Sequence, residues 1–70
     1  MTPSHIRTIR KEAGLSQTGL AALLRIKDLR TIRRWESGET PITGPASIIL
    51  ELIEDDALPY KYFHAVGVKP

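Results

Sequence analysis

A chain of 70 residues makes one domain, and a domain of this size buries only about 60% of its unfolded surface, so it needs support from elsewhere. There is no cysteine, and the two histidines, His5 and His64, stand far apart with no ligand spacing around them; this excludes disulfides, leaves no metal or other cofactor expected, and makes a partner chain the expected support. The formal charge of +2 hides an asymmetry: residues 1–35 carry eight Lys or Arg against two acids, whereas residues 36–70 carry two against six. A polyanion-binding face with a separate rear face produces this pattern, and so does scattered solvated charge.

In chain order, Thr2 followed by Pro3 is a helix start signal. Ile6, Ile9, Arg10 and Ala13 then share one face at helical spacing, and Gly14 supplies the stop. The second unit, "SQTGLAALL", has Ser16 as a natural cap and Leu20, Ala21, Leu23 and Leu24 as its buried side. Gly19 inside it costs about 1 kcal/mol against alanine. "RIKD" reads as a turn with Ile26 plugging the core. Asp28 stands in a strong cap position for a third helix, "LRTIRRWES", and its charge suits the positive end of the helix dipole. Ile32 and Trp35 are spaced to face inward together, leaving Leu29, Arg30, Arg33 and Arg34 on other faces; Gly38 ends the helix.

"ETPITGP" is a loop, and Pro45 opens a fourth helix, "PASIILELIEDDAL", expected to run to Leu58, before Pro59. Ala46, Ile49, Leu50 and Ile53 make one face, which Ile48 and Leu52 extend. Either the surplus meets another chain or all six line the monomer core. The tail, "YKYFHAVGVKP", admits three readings: a packing strap, an edge strand or a partly disordered end. The whole is all-α, with four to five helices: a domain at 1–58 and a C-terminal tail at 59–70.

The second and third units, joined by a short turn, form a helix-turn-helix pattern. The run "LSQTGLAALL…TIRRWESGETPI" resembles the Cro/C1-type (XRE-family) helix-turn-helix regulators. Their pattern is L-[ST]-Q-x-x-L-A-x-x-L, a turn, then T-[IV]-x-R-W-E-x-G and a proline. Leu15, Ser16, Gln17, Leu20, Ala21, Leu24, Thr31, Ile32, Arg34, Trp35, Glu36, Gly38 and Pro41 match, and the likeness covers about residues 3–54. Small phage and mobile-element repressors of this family, anti-CRISPR-associated autorepressors among them, have this size.

The resemblance implies a lambda-repressor-like fold and binding to double-stranded DNA, with the third helix in the major groove. It makes Leu29, Arg30 and Arg34, then Arg33, the candidates for base contact; arginine can grip guanine O6 and N7 with two parallel bonds. It makes Gln17, at the start of the second helix, a phosphate contact, with helix capping as its alternative role. Thr31 and the loop residues Ser37, Gly38, Thr40 and Thr43 are further phosphate candidates, in part through backbone N–H groups. Arg10 and Glu36 match family positions that form a partly buried structural ion pair. The sequence departs from the pattern at Arg25, where members carry glycine at positive φ. Arginine there costs about 1 kcal/mol. The turn is also one residue longer than usual, and the longer turn leaves open whether that geometry is needed at all. Asp28 thereby takes the cap position, and Arg25 and Lys27 become phosphate candidates.

The expected function is a sequence-specific transcription regulator: a homodimeric repressor of its own or a neighbouring promoter, reading an inverted repeat. Ile48, Leu52, Tyr60, Tyr62 and Phe63 are the expected dimer contacts. No small-molecule effector is expected, since 70 residues leave no room for its domain. The alternatives are an antitoxin or accessory protein-interaction module with secondary DNA binding, and a DNA-binding fragment of a recombinase-like system. The 12 residues after "DDAL" are short for a toxin-binding segment. An enzyme is not expected: no phosphate-cradling glycine loop, metal-ligand cluster or nucleophile–base pair is present, and "EDD" at 54–56 has no companion cluster. No apolar run approaches the ~20 residues of a membrane span. "MTPSHIRTIRK" lacks the apolar core of a signal peptide. A cytoplasmic, nucleoid-associated location follows as the expectation, and the lack of cysteine fits a reducing compartment.

Overall fold

Thr2 Oγ1 accepts a hydrogen bond from the His5 amide at 3.1 Å and Pro3 takes the first helical position, so α1 runs Pro3–Glu12. Ser16 Oγ accepts from Gly19 N at 2.9 Å and starts α2, Gln17–Leu23. Asp28 Oδ1 accepts from Arg30 N at 2.9 Å and starts α3, Leu29–Ser37. Proline at the N-terminus opens α4, Pro45–Glu54, and α5, Tyr60–His64, follows Pro59. This computed structural model describes residues 1–67, and the described residues are all-helical, with no strand.

Three helices close with the same pair of backbone bonds around one left-handed residue. At the end of α1, Leu15 N donates to Arg10 O at 3.0 Å and Gly14 N to Lys11 O at 3.0 Å, with Gly14 at φ +75°. At the end of α2, Ile26 N donates to Ala21 O at 2.8 Å and Arg25 N to Ala22 O at 3.1 Å, with Arg25 at φ +60°. The longer turn therefore does not release Arg25 from the geometry that favours glycine. At the end of α4, Ala57 N donates to Leu52 O at 2.8 Å and Asp56 N to Ile53 O at 3.1 Å, with Asp56 at φ +55°. This closure stops α4 at Glu54, short of the expected end at Leu58. Arg25→Gly removes the left-handed strain, and even after the entropy cost of glycine it is expected to add about 0.5–1 kcal/mol of stability. Thermal unfolding checks this: the midpoint rises by a few degrees, and an unchanged or lower midpoint would place no strain at Arg25.

At the centre, Ile6, Leu20, Ile32 and Leu50 are fully buried, one from each of the first four helices. Ile9, Leu15, Ala21, Trp35 and Ile53 complete the core around them. α1 and α2 both pack on α3, α4 packs on α1, and His5 pairs with Glu54 across the latter contact. Leu29 departs from its expected place: it is half-buried and packs against the core, because it lies one turn ahead of Ile32 on the same face.

The six apolar residues of α4 divide. Leu50 and Ile53 are buried; Ala46, Ile49 and Leu52 are half-buried; Ile48 is 57% exposed, so the six do not all line the monomer core. The tail residues through Gly67 form no strand: they make α5, whose Phe63, together with Val66, packs against the core, while Tyr60 and Tyr62 are exposed. Residues 68–70 of the expected tail lie outside the described residues. A groove of about 550 Å³ runs between the end of α2, α4 and the start of α5, with Leu24, Ile49, Leu52 and Tyr62 among its lining residues.

Candidate nucleic-acid interface

The two faces of α3 have opposite chemistry because 3.6 residues make one turn. Ile32, Trp35 and Glu36 point into the domain and are buried. Arg30, Arg33 and Arg34 stand at i, i+3 and i+4, so they share one face, and all three are exposed. Packing against α1 and α2 fixes the rotation of α3, and that fixed rotation presents the arginines outward.

The inner face is held by an ion pair. Arg10 Nε donates to Glu36 Oε2 at 2.7 Å and Arg10 Nη2 to Glu36 Oε1 at 3.0 Å, a two-pronged contact. Arg10 is 9% exposed and Glu36 4%. Arg10 Nη1 also donates to Leu15 O at 3.0 Å, which ties the α1–α2 turn to the same cluster. Burial pushes the Glu36 carboxyl up, but hydrogen bonds from Arg10 and Gln17 and the charges of Arg10 and Arg7 outweigh it, and its pKa lies below 4.5.

Gln17 belongs to this cluster as well. It is half-buried, and its Nε2 donates to Glu36 Oε1 at 3.3 Å. A phosphate contact by Gln17 would thus sit directly on the pair that orients α3. Arg7 was not among the sequence candidates. Its Nη2 donates to Glu36 O at 3.2 Å, and its Nε lies 3.6 Å from Glu36 Oε1. Its position one turn before Arg10 was the available signal.

On the outer face, two arginines have acidic companions that sequence reasoning did not pair with them. Arg30 Nε donates to Asp28 Oδ1 at 3.2 Å, and Arg34 Nε lies 3.6 Å from Glu39 Oε2. Asp28 is held below its ordinary value of 3.8, first by the backbone N–H of Arg30 and then by that residue's side chain. Arg25, Lys27 and Arg33 are exposed and make no ion pair among the described residues. Thr31 is half-buried in the first turn of α3. Ser37 Oγ is spent locally, donating to Arg34 O at 3.2 Å and accepting from Glu39 N at 3.4 Å. Gly38, at φ +83°, lets the chain leave the helix, with Pro3 Cγ 3.3 Å from where a Cβ would stand. Thr40 and Thr43 are exposed on the loop beyond it.

No group of three or more potential metal ligands occurs among the described residues, and no helix among them is long and apolar enough to cross a membrane. No curated protein and no solved structure matches the chain. The helix-turn-helix family model matches residues 6–52, from the first core isoleucine of α1 through most of α4. A match over more than half of the chain, on a fold that buries one face of α3 and exposes three arginines on the other, makes this protein a member of the Cro/C1-type helix-turn-helix family, a transcription regulator that binds double-stranded DNA.

Proposed function

We propose that the protein is a homodimeric repressor that occupies an inverted repeat at its own or a neighbouring promoter and blocks polymerase there. The observation that carries this reading is the exposed arginine face of α3, set rigidly by the buried Arg10–Glu36 pair behind it. In this reading α3 enters the major groove, with Arg30 and Arg34 on base edges and Arg33 on a base or a phosphate. The exposed part of Leu29 is left for a thymine methyl. Arg25, Lys27, Gln17 and Thr31 approach phosphates on one side of the groove. Ser37, Gly38, Thr40 and Thr43 approach them on the other, where backbone N–H groups share the work.

The backbone spans 31 × 23 × 19 Å and carries one α3, which serves one half-site, whereas half-sites of an inverted repeat lie about 34 Å apart. A second copy is what extends the contact to two half-sites. Ile48, Tyr60 and Tyr62, exposed on α4 and α5, and Leu52 in the groove between them supply apolar surface for that copy, with α5 and its flanking residues as the strap. Phe63, half-buried against its own core, contributes mainly by fixing α5.

Selection from a random duplex library tests the reading. The wild type is expected to enrich an inverted repeat, and Arg30→Ala to lose preference at one position of each half-site. Sedimentation should show a dimer on that DNA. A monomer on DNA would remove the dimer. Enrichment of nothing by a folded protein would transfer the function to the apolar groove and the exposed tyrosines, that is, to a protein-interaction module.

A further inference from the structure

An acid at the start of a DNA-facing helix carries a cost: its charge repels the polyanion that the helix approaches. Serine or threonine would cap the helix as well without that charge. Only two acids occur in residues 1–35, and Asp28 is the one that touches an arginine of α3. One carboxylate oxygen, Oδ1, makes both of its contacts: the cap bond from Arg30 N at 2.9 Å and the side-chain bond from Arg30 Nε at 3.2 Å. Asp28 is thus fixed to the backbone of the residue whose side chain it holds.

We infer that Asp28 is a positioning residue for base reading, holding the Arg30 guanidinium by its Nε so that the two terminal amino groups face a guanine edge as a ready fork. This inference rests on the reading of Arg30 as a base contact. The atom that is held decides the matter. A fork onto guanine O6 and N7 needs two coplanar N–H donors, and a bond at Nε leaves both Nη groups for it. Neither Nη has a hydrogen-bond partner among the described residues, and the side chain is 72% exposed. The anchor removes part of the rotamer freedom that a long side chain otherwise surrenders on binding. It acts only where Arg30 docks on its base, so it raises the preference for guanine and not the general affinity for phosphate. Glu39 provides the contrast. It lies 3.6 Å from Arg34 Nε with no hydrogen bond to it, on a side chain that is 66% exposed, and it supplies charge without orientation.

The test compares four proteins on duplexes that carry guanine or another base at the Arg30 position: wild type, Asp28→Ser, Glu39→Gln and Arg30→Ala. Serine keeps the helix cap but is too short to reach Nε. Asp28→Ser is expected to lower the guanine preference about two- to fivefold, the size that an exposed ion pair can contribute. Its binding to non-cognate duplex is expected to stay equal or tighten, since a negative charge is gone. Glu39→Gln is expected to tighten binding to all duplexes and leave the preference alone. A uniform loss of binding by Asp28→Ser would make Asp28 a cap only, and a preference unchanged from wild type would overturn the inference. If Arg30→Ala keeps the wild-type preference, the base-contact reading of Arg30 fails first; if Arg30→Ala loses it while Asp28→Ser keeps it, only the positioning role fails.

Discussion

Arg10→Met is expected to leave the domain largely unfolded at room temperature. The substitution strips Glu36, 4% exposed, of both bonds from its main partner and leaves Leu15 O without the Arg10 Nη1 donor. Breaking a buried ion pair from one side costs about 3–5 kcal/mol, because the remaining charge stays out of water. A core of this size supplies about that much in total. Gln17 and Arg7 do not compensate, since one is a single neutral donor at 3.3 Å and the other is half exposed. The double variant Arg10→Met/Glu36→Leu is expected to recover much of the loss, since apolar groups of similar volume often replace such pairs at little cost. Urea unfolding followed by the fluorescence of Trp35, the one tryptophan and a buried one, reads all three proteins. A single variant with the wild-type midpoint would show that the pair adds no stability.

The same pair makes part of the stability depend on acid pH. The folded pKa of Glu36 lies below its ordinary value of 4.5, so the folded state binds its proton less readily than the unfolded chain does. Its contribution is complete above pH 4.5 and disappears as pH falls through the lower folded value. In Arg10→Met the bonds and charge of Arg10 are gone while burial, Gln17 and Arg7 remain, so the folded pKa of Glu36 rises and the acid loss that this group contributes shrinks.

Helix starts were legible because each is written in one or two residues: Thr2–Pro3, Ser16, Asp28 and Pro45. Two ends, at Gly14 and Gly38, were legible for the same reason. The end of α4 was hidden because Asp56, not glycine, takes the left-handed position, and "EDDAL" continues with residues that a helix tolerates. Arg25 hid the same closure at α2, where the family pattern pointed to glycine but the sequence did not. α5 was beyond reach by periodicity, since five residues make little more than one turn. The arginine face of α3 was legible from spacing alone, once Ile32 and Trp35 fixed the inner side. The Asp28–Arg30 side-chain bond was not: residues two apart do not meet on a helix, and these two do only because Asp28 is extended at the cap, at φ −97°, ψ 108°.

Binding to operator DNA is expected to fall about 10³- to 10⁵-fold between 50 and 200 mM salt, with a slope of log K against log salt near −5 to −9. The range follows from about six to ten phosphate contacts over a dimer, each releasing condensed counterions. The cations do not share this slope equally. Arg25, Lys27 and Arg33 are exposed and unpaired among the described residues, so each brings a full charge to the phosphates. Arg30 and Arg34 arrive beside Asp28 and Glu39, which already neutralise part of their field. Lys27→Ala is therefore expected to flatten the slope by about 2 in the dimer, one contact per subunit, while the enriched sequence stays the same. Arg30→Ala is expected to do the reverse, changing the sequence more than the slope. Titrations at four salt concentrations separate the two roles. A flat slope for the wild type would mean that the arginine face does not meet a phosphate backbone, and the functional reading of α3 would fall with it.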